Sequence, residues 1–108
     1  MKVILFTVPG VQPIIGNVVK EDDDFMNVEY PVIVLKEETY LYTMPYVPFA
    51  KGGIVAFNKD NIISISGIDE DVLEFYKMIV AEMKENKLSF KKPQESKKEL
   101  ILKQKSLH

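Results

Sequence analysis

Residues 12–35 read QPIIGNVVKEDDDFMNVEYPVIVL, and their pattern is the strongest indication of the fold. Apolar and polar residues alternate from Phe25 to Leu35, and less regularly before the acidic run, which is the period of β-strands. The acidic run 21–24 predicts a turn, because adjacent carboxylates repel one another and require water. Gly16 and Pro31 interrupt the two strands, and such residues mark a bulge, a bend or an edge. We therefore expect two bent strands joined by a turn.

The rest of the chain adds short strands and one helix. Further strand-like runs occupy residues 2–8, 39–44, 54–57 and 62–66. The cluster 58–61 predicts a hairpin turn. After Gly67 the apolar period changes to three and four residues, which predicts a helix over 69–86. We expect its apolar stripe to pack on the barrel formed by the strands and to seal one open end; the stripe is Ile68, Val72, Phe75, Ile79 and Met83.

Short, bent strands followed by a helix predict one architecture. The fold class is mainly β: a small, strongly bent, five-stranded antiparallel barrel with a C-terminal α-helix. We expect barrel and helix to form one domain, residues 1–86, and residues 87–108 to form a basic, flexible tail. We expect unpaired strand edges near 39–44 and 54–57. Natural proteins rarely leave such edges bare, which predicts an oligomer.

The composition excludes most catalytic chemistry. The 108 residues include no cysteine, and the one histidine is the terminal His108. There is no glycine-rich phosphate loop and no well-spaced carboxylate pair. We therefore expect no enzyme activity, no catalytic residue, no metal site and no cofactor. The opening MKVILFTVPG does not resemble a signal peptide, and no apolar run reaches about 20 residues. These features predict a cytoplasmic protein with no membrane partner.

The charges are unevenly distributed. Residues 1–86 carry 7 lysines and 14 carboxylates, a net charge of −7, whereas residues 87–108 carry 7 lysines and 2 carboxylates, a net charge of +5. All 14 basic residues are lysines. Arginine is the side chain that reads guanine edges and grips phosphate with two hydrogen bonds, so its absence disfavours specific reading of duplex DNA. The tail either solubilises the domain or contacts nucleic acid.

Two segments carry a resemblance to a known family. Gly16 followed by alternating apolar residues and then Asp23-Asp24-Phe25-Met26-Asn27 resembles the first motif of the Sm and Sm-like (LSm, Hfq-related) family, with one extra residue after the glycine. Residues 58–65, NKDNIISI, are similar to the second motif, with Asn58-Lys59 standing where the family has Arg-Gly. The family's helix usually precedes the barrel, whereas this one follows it. The missing arginine and the small domain also resemble phage-type members.

The resemblance implies a ring of six or seven subunits that binds uridine-rich or adenine-rich single-stranded RNA around its pore. On that basis Phe25 stacks on a base, Asn27 hydrogen-bonds the base edge and Asp23 orients the turn. The family's arginine has no counterpart at Asn58, and Lys59 supplies a charge without a planar fork. The candidate RNA-binding residues are therefore Asp23, Phe25, Asn27, Asn58 and Lys59.

Other interpretations of the same residues stay open. Phe25 can pack in the core or the hairpin, and Asn27 can satisfy its own turn. A group of aromatic side chains suits either a subunit interface or the barrel mouth; it consists of Tyr40, Tyr42, Tyr46 and Phe49. The leading hypothesis is a non-enzymatic, ring-forming RNA-binding module. The alternative is a structural or assembly protein that uses the same oligomer to bind other proteins through this aromatic group and its acidic helix.

Overall fold

The computed structural model describes residues 1–85, so residues 87–108 of the predicted tail lie outside the described part. Within residues 1–85 the chain forms six strands, two short 3-10 turns and one α-helix. The strands are β1 (Val3–Thr7), β2 (Ile14–Glu21), β3 (Phe25–Glu37), β4 (Tyr40–Pro45), β5 (Ile54–Asn58) and β6 (Ser64–Ser66). The 3-10 turns are Lys51–Gly53 and Lys59–Asn61, and the helix α1 is Glu70–Glu85. The helix predicted over 69–86 is thereby confirmed.

The strands form one antiparallel sheet in the order β4-β3-β2-β1-β6, with β5 also paired to β3. The long β3 has two partners on one edge: β5 along residues 25–29 and β4 along residues 32–37. A mainly β, antiparallel fold with a C-terminal helix is confirmed. All six strand-like runs of the sequence form strands, so only the count of five strands in the predicted barrel is wrong. The sheet has six strands because β3 is long enough for two partners, and it is not closed within the described residues.

The predicted bends at Gly16 and near Pro31 coincide in a single irregularity of the β2–β3 ladder. The irregularity lies between two paired positions, Ile15 with Val32 and Asn17 with Glu29. Tyr30 and Pro31 therefore face Gly16 alone, and Tyr30 has a positive φ of 47°. A Cβ atom at Gly16 would overlap the Cγ1 of Val28, so the close approach of the two strands requires glycine. The bend is confirmed, and its cause is steric.

Each face of the bent sheet carries its own apolar cluster. The inner cluster contains Ile4, Phe6, Val8, Ile14, Val18, Met26, Val28 and Phe57. Phe6 of β1 and Phe57 of β5 meet edge to face with ring centres 4.9 Å apart, although their strands are not neighbours in the sheet. This contact shows how strongly the sheet curls around its inner face.

Helix α1 covers the outer face of the sheet. Ile15, Val32 and Tyr76 form the centre of the outer cluster. Around them pack Val3, Leu5, Tyr30, Val34, Ile68, Val72, Ile79, Val80 and Met83. Val3 and Leu5 alternate along β1 with residues of the inner cluster, so α1 lies against the opposite face and does not seal an open end. The expected packing of the helix stripe on the sheet is therefore confirmed, whereas the expectation that it seals an open end is wrong.

One member of the predicted helix stripe is also wrong. The side chain of Phe75 is 39% exposed, whereas Tyr76 is 1% exposed. Tyr76 and Met83 lie in the middle of the face of α1 that packs on the sheet. Phe75 therefore lies at the margin of the apolar stripe. The helix has 16 residues, and no helix within residues 1–85 combines the length and apolar character needed to cross a membrane.

The predicted hairpin turn at 58–61 is wrong as well. The strands on either side have different partners, because β5 pairs with β3 and β6 pairs with β1. The 3-10 turn Lys59–Asn61 carries the chain from one to the other. The Asn58 side chain accepts a hydrogen bond of 2.9 Å from the backbone N–H of Asp60 and so caps this turn.

Candidate nucleic-acid interface at the loop corner

The two segments that carry the family resemblance lie side by side. Phe25, the first residue of β3, is paired directly with Asn58, the last residue of β5. The backbone N–H of Lys59 donates a hydrogen bond of 2.8 Å to the carbonyl oxygen of Asp24. The acidic turn after β2 and the 3-10 turn after β5 therefore form one continuous surface. We call residues 21–25 and 58–61 the loop corner.

Asp22 organises the acidic turn. One oxygen of its carboxylate accepts hydrogen bonds of 2.8 Å from the backbone N–H groups of both Asp24 and Phe25. These bonds hold the pKa of Asp22 below its ordinary value, the bond from Phe25 being the larger cause. The resemblance implied that Asp23 orients the turn, but the carboxylate that makes these contacts is that of Asp22. A carboxylate that accepts from residues two and three positions later is the usual Asx-turn arrangement.

Phe25 presents an aromatic surface at the loop corner. Its side chain is 45% exposed, whereas Met26 beside it is 2% exposed and belongs to the inner cluster. Because side chains alternate along a strand, Phe25 and Asn27 lie on the face opposite the inner cluster. The half-exposed ring of Phe25 is thus available for stacking, and it is not an inner core residue. Asn27 is half-buried and pairs with Ala56 of β5.

The charge of Lys59 is already partly neutralised. Its Nζ atom lies 3.2 Å from Oε2 of Glu21, and Nζ of Lys2 lies 2.7 Å from Oε1 of the same carboxylate. The hydrogen bond from Lys2 is the largest of the effects that lower the pKa of Glu21. These groups are exposed to solvent, so the ion pairs orient side chains and add little to the stability of the fold. The side chain of Lys59 is thus positioned by Glu21, the last residue of β2.

The loop corner as a whole is acidic. Its carboxylates are Glu21, Asp22, Asp23, Asp24 and Asp60, and the lysines beside it are Lys2, Lys20 and Lys59. A phosphate backbone would be repelled by the acidic turn itself. Any nucleic acid bound here must therefore gain its affinity from base contacts. No arginine is present to form a planar contact with a base or phosphate.

Four of the five candidate residues meet at this surface. Asp23, Phe25, Asn58 and Lys59 belong to the loop corner, and Asn27 follows two positions along β3 on the same face as Phe25. The side chain of Asn58 is held against its own turn by the bond to Asp60, which limits how it can meet a ligand. Among residues 1–85, no three potential metal-ligating side chains converge.

Two exposed apolar strand edges form a second surface feature. The outer strands of the sheet are β4 and β6, so the edge expected near 39–44 is confirmed. The second edge was expected near 54–57. Strand β5 pairs there with β3 on one side, which leaves its other side as an edge. The free edge of β6 was not predicted from the sequence. Exposed apolar side chains follow these edges: Tyr40, Leu41, Tyr42 and Met44 at β4, and Ile63 and Ile65 at β6.

An open groove of about 680 Å³ lies between α1 and the loop 45–53. We call it the α1 groove. Ile79 and Met83 line it from the helix, and Val47 lines it from the loop. Tyr30 forms part of its floor, with the Nζ atom of Lys84 5.5 Å from its ring centre. The groove depends on tertiary contacts between distant segments, so the sequence pattern did not indicate it.

A scan against protein-family models finds no match to this chain, and a search of curated proteins finds none either. Function is therefore inferred from the loop corner, the strand edges and the two motif-like segments.

Proposed function

We propose that this chain is a non-enzymatic, Sm-like module that assembles with copies of itself and binds single-stranded RNA at the loop corner. One observation carries the proposal. The segments that resemble the two family motifs are far apart in the sequence, yet Phe25 pairs with Asn58 and Lys59 donates to Asp24. A bipartite binding surface needs this contact, because neither segment alone offers both an aromatic platform and polar partners.

The curled sheet supports an Sm-like barrel. Strand β1 has β2 on one side and β6 on the other, so the last strand returns to the first. The contact between Phe6 and Phe57 brings β1 close to β5 across the inner face. We interpret the domain as a barrel whose remaining opening is closed by a neighbouring subunit rather than by its own strands.

The strand edges support self-assembly. An edge strand exposes unpaired backbone N–H and C=O groups, which can pair with another chain. Here one free edge is β6, with Ile63 69% exposed and Ile65 57% exposed. The other free edges, β4 and β5, lie at the opposite end of the sheet. Pairing between unlike edges is head-to-tail, and it closes into a ring when the rotation between neighbouring subunits is a whole fraction of a turn. The resemblance implies a ring of six or seven subunits.

Base stacking is the interaction that the loop corner supports best. An aromatic platform contributes about 1–3 kcal/mol per stacked base, and it accepts any of the bases because each has a flat face. Phe25 offers such a platform, and the amide of Asn27 on the same face can hydrogen-bond a base edge. Repulsion from the acidic turn directs the phosphates away from it. The module thus reads exposed bases more than the phosphate backbone.

The test is RNA binding measured by fluorescence anisotropy with short uridine-rich and adenine-rich strands. Phe25→Ala should weaken binding by roughly 5- to 150-fold, equivalent to about 1–3 kcal/mol for one stacked base. Phe75→Ala is a matched control, because that phenylalanine is similarly exposed but lies on α1. Light scattering on each variant must show the wild-type mass. Removing residues 87–108 should reduce the salt dependence of affinity without changing base preference.

The second candidate function is a structural or assembly protein. The acidic loop corner and the exposed aromatic residues of β4 favour it, because both suit a protein partner better than RNA. An oligomer that binds neither the uridine-rich nor the adenine-rich RNA at about 50 mM salt, where lysine contacts are strong, would exclude the RNA function. The structural or assembly function would then remain. Equal losses in Phe25→Ala and Phe75→Ala would likewise contradict a binding role for the loop corner.

A further inference from the structure

The α1 groove is open and largely apolar. Its volume of about 680 Å³ is within the range of ligand-binding clefts. Val47 is 42% exposed, and Met83 lines the same groove from the last turns of α1. Lys84 also lines the groove, and the described residues end one position later at Glu85. The chain therefore continues from the rim of the groove itself.

The chain beyond Glu85 brings apolar side chains to that rim. It comprises 23 residues, and its first two large apolar residues are Leu88 and Phe90. At most about 3.5 Å of chain per residue separates Glu85 from Phe90, which gives a reach of about 17 Å. A short tether of this kind produces an effective concentration on the order of millimolar. No free ligand of modest affinity competes easily with such a segment.

The charges of the two partners are complementary. Residues 1–86 carry a net charge of −7, and the charged residues that line the groove itself are Glu82 and Lys84. Lys87 and Lys91 flank the two apolar residues, and residues 87–108 carry a net charge of +5. Long-range attraction thus favours the return of the segment to the acidic domain. The apolar pair then has a partner in the walls of the groove.

We propose that residues 86–92 bind back into the α1 groove of the same chain, with Phe90 inserted between Met83 and Val47 and Leu88 beside it. The segment covers the exposed apolar walls and anchors the start of the lysine-rich tail at a fixed place on the domain. This proposal does not use the loop corner, so it is independent of RNA binding; Thr43 and Pro45 of β4 line the groove, which places it beside one of the strand edges.

Nuclear magnetic resonance of the full chain tests the proposal. Phe90→Ala should shift the resonances of Val47 and Gly53, which line the far wall of the groove. Both lie more than 35 positions away in the sequence, so only contact through space can reach them. Leu107→Ala is the matched control, because it removes another large apolar side chain from the same tail. Shifts confined to the sequence neighbours of position 90, or equal shifts in both variants, would overturn the proposal.

A second measurement identifies which chain fills the groove. The protein has no cysteine, so Ser89→Cys provides a single site for a nitroxide label. In a sample whose chains carry both the nitroxide label and the isotope, the label should broaden the Gly53 resonance. Adding Phe90→Asp to the labelled chain should remove that broadening. The comparison sample is assembled from labelled and isotope-enriched chains mixed together. Broadening of Gly53 that is as strong in this mixture would show that another copy fills the groove, contrary to the proposal.

Discussion

The hydroxyl of Tyr76 lies 2.8 Å from the carbonyl oxygen of Glu29 and donates a hydrogen bond to it, which ties α1 to the bend in β3. The carbonyl oxygen of Tyr30 is 3.0 Å from the same hydroxyl. A bulge disrupts the ladder and leaves backbone groups without strand partners, so a side chain must satisfy them. Burial raises the pKa of Tyr76, which keeps this hydroxyl protonated and able to donate.

Removing the Tyr76 hydroxyl should destabilise the domain. Tyr76→Phe keeps the ring but leaves buried carbonyl oxygens without their donor, and the expected cost is about 1–3 kcal/mol. The measurement is the free energy of unfolding from urea denaturation. Tyr42→Phe, at a side chain that is 42% exposed, should change that free energy by less than about 0.5 kcal/mol. Similar losses in both variants would argue against the role of this bond.

Truncating adjacent helix residues should give very different losses of stability. Tyr76→Ala empties a fully buried position, and comparable aromatic truncations cost about 3–5 kcal/mol. Phe75→Ala should cost less than about 1 kcal/mol, because its side chain is 39% exposed at the margin of the stripe. Thermal and urea unfolding of the two variants measure the difference. A larger loss of stability in Phe75→Ala than in Tyr76→Ala would show that the helix packs on the sheet through the face that carries Phe75, contrary to the structure.

Local patterns predicted the elements better than their partners. Alternation from Phe25 to Leu35 indicated β3, and the change of period after Gly67 indicated α1 to within a residue of each end. Strand period alone does not say that one strand carries two partners, because that depends on where distant segments return. Likewise, Phe75 and Tyr76 are adjacent and both aromatic. Only the bend in β3, with its carbonyl groups, decides which of them is buried.

The candidate site shows the same division. Asp23, Phe25 and Asn27 were selected from one motif, and the pairing of Phe25 with Asn58 brings the second motif-like segment beside it. The pattern did not reveal that Asp22 makes the turn contacts, because three consecutive aspartates are equivalent until the chain path is known. It also did not reveal the ion pair between Lys59 and Glu21.

The close approach at Gly16 gives a steric prediction. Gly16→Ala places a Cβ atom against Val28 and the backbone of Pro31, and overpacking of this kind costs about 1–3 kcal/mol. Gly67→Ala is the control, because nothing lies within 4 Å of its added Cβ. That change should be neutral or stabilise by up to about 1 kcal/mol, through the unfolded chain. Thermal unfolding of both variants checks the expectation, and a neutral Gly16→Ala would contradict the tight bend.

The acidic turn should make stability depend on pH in the acid range. The folded pKa of Asp22 is lowered by hydrogen bonds from Phe25 and Asp24, so its contribution is present above its ordinary pKa of 3.8. It is lost as the pH falls through the lower folded value. Asp22→Asn should therefore reduce the change in stability over that range. Asp23→Asn removes a charge from the same turn and leaves both bonds to Asp22 in place.

Two measurements check this pH dependence. An NMR titration of the Asp22 carboxyl group should give a pKa below its ordinary value, and urea denaturation at several acid pH values should give the stability change. A normal or raised pKa for Asp22 would contradict the turn geometry. An identical pH profile in wild type and Asp22→Asn would do the same.

The last prediction concerns assembly through β6. This strand pairs with β1 on one side only, and its exposed side includes Ile65, which is 57% exposed. Charged residues, lysine above all, are what natural edge strands use to prevent pairing with another chain. Ile65→Lys should therefore lower the oligomer mass towards the 12.4 kDa of one chain. Light scattering at tens of micromolar protein is the measurement.

The control for this prediction is Met78→Lys, which adds the same charge at a side chain that is 55% exposed on α1. It should leave the mass at the wild-type value, expected to be six or seven times that of one chain. Circular dichroism of both variants should match wild type, so that loss of assembly is separated from loss of fold. A monomeric wild type would remove self-assembly altogether. Dissociation by both variants would show that added charge, rather than blocked strand pairing, controls the oligomer.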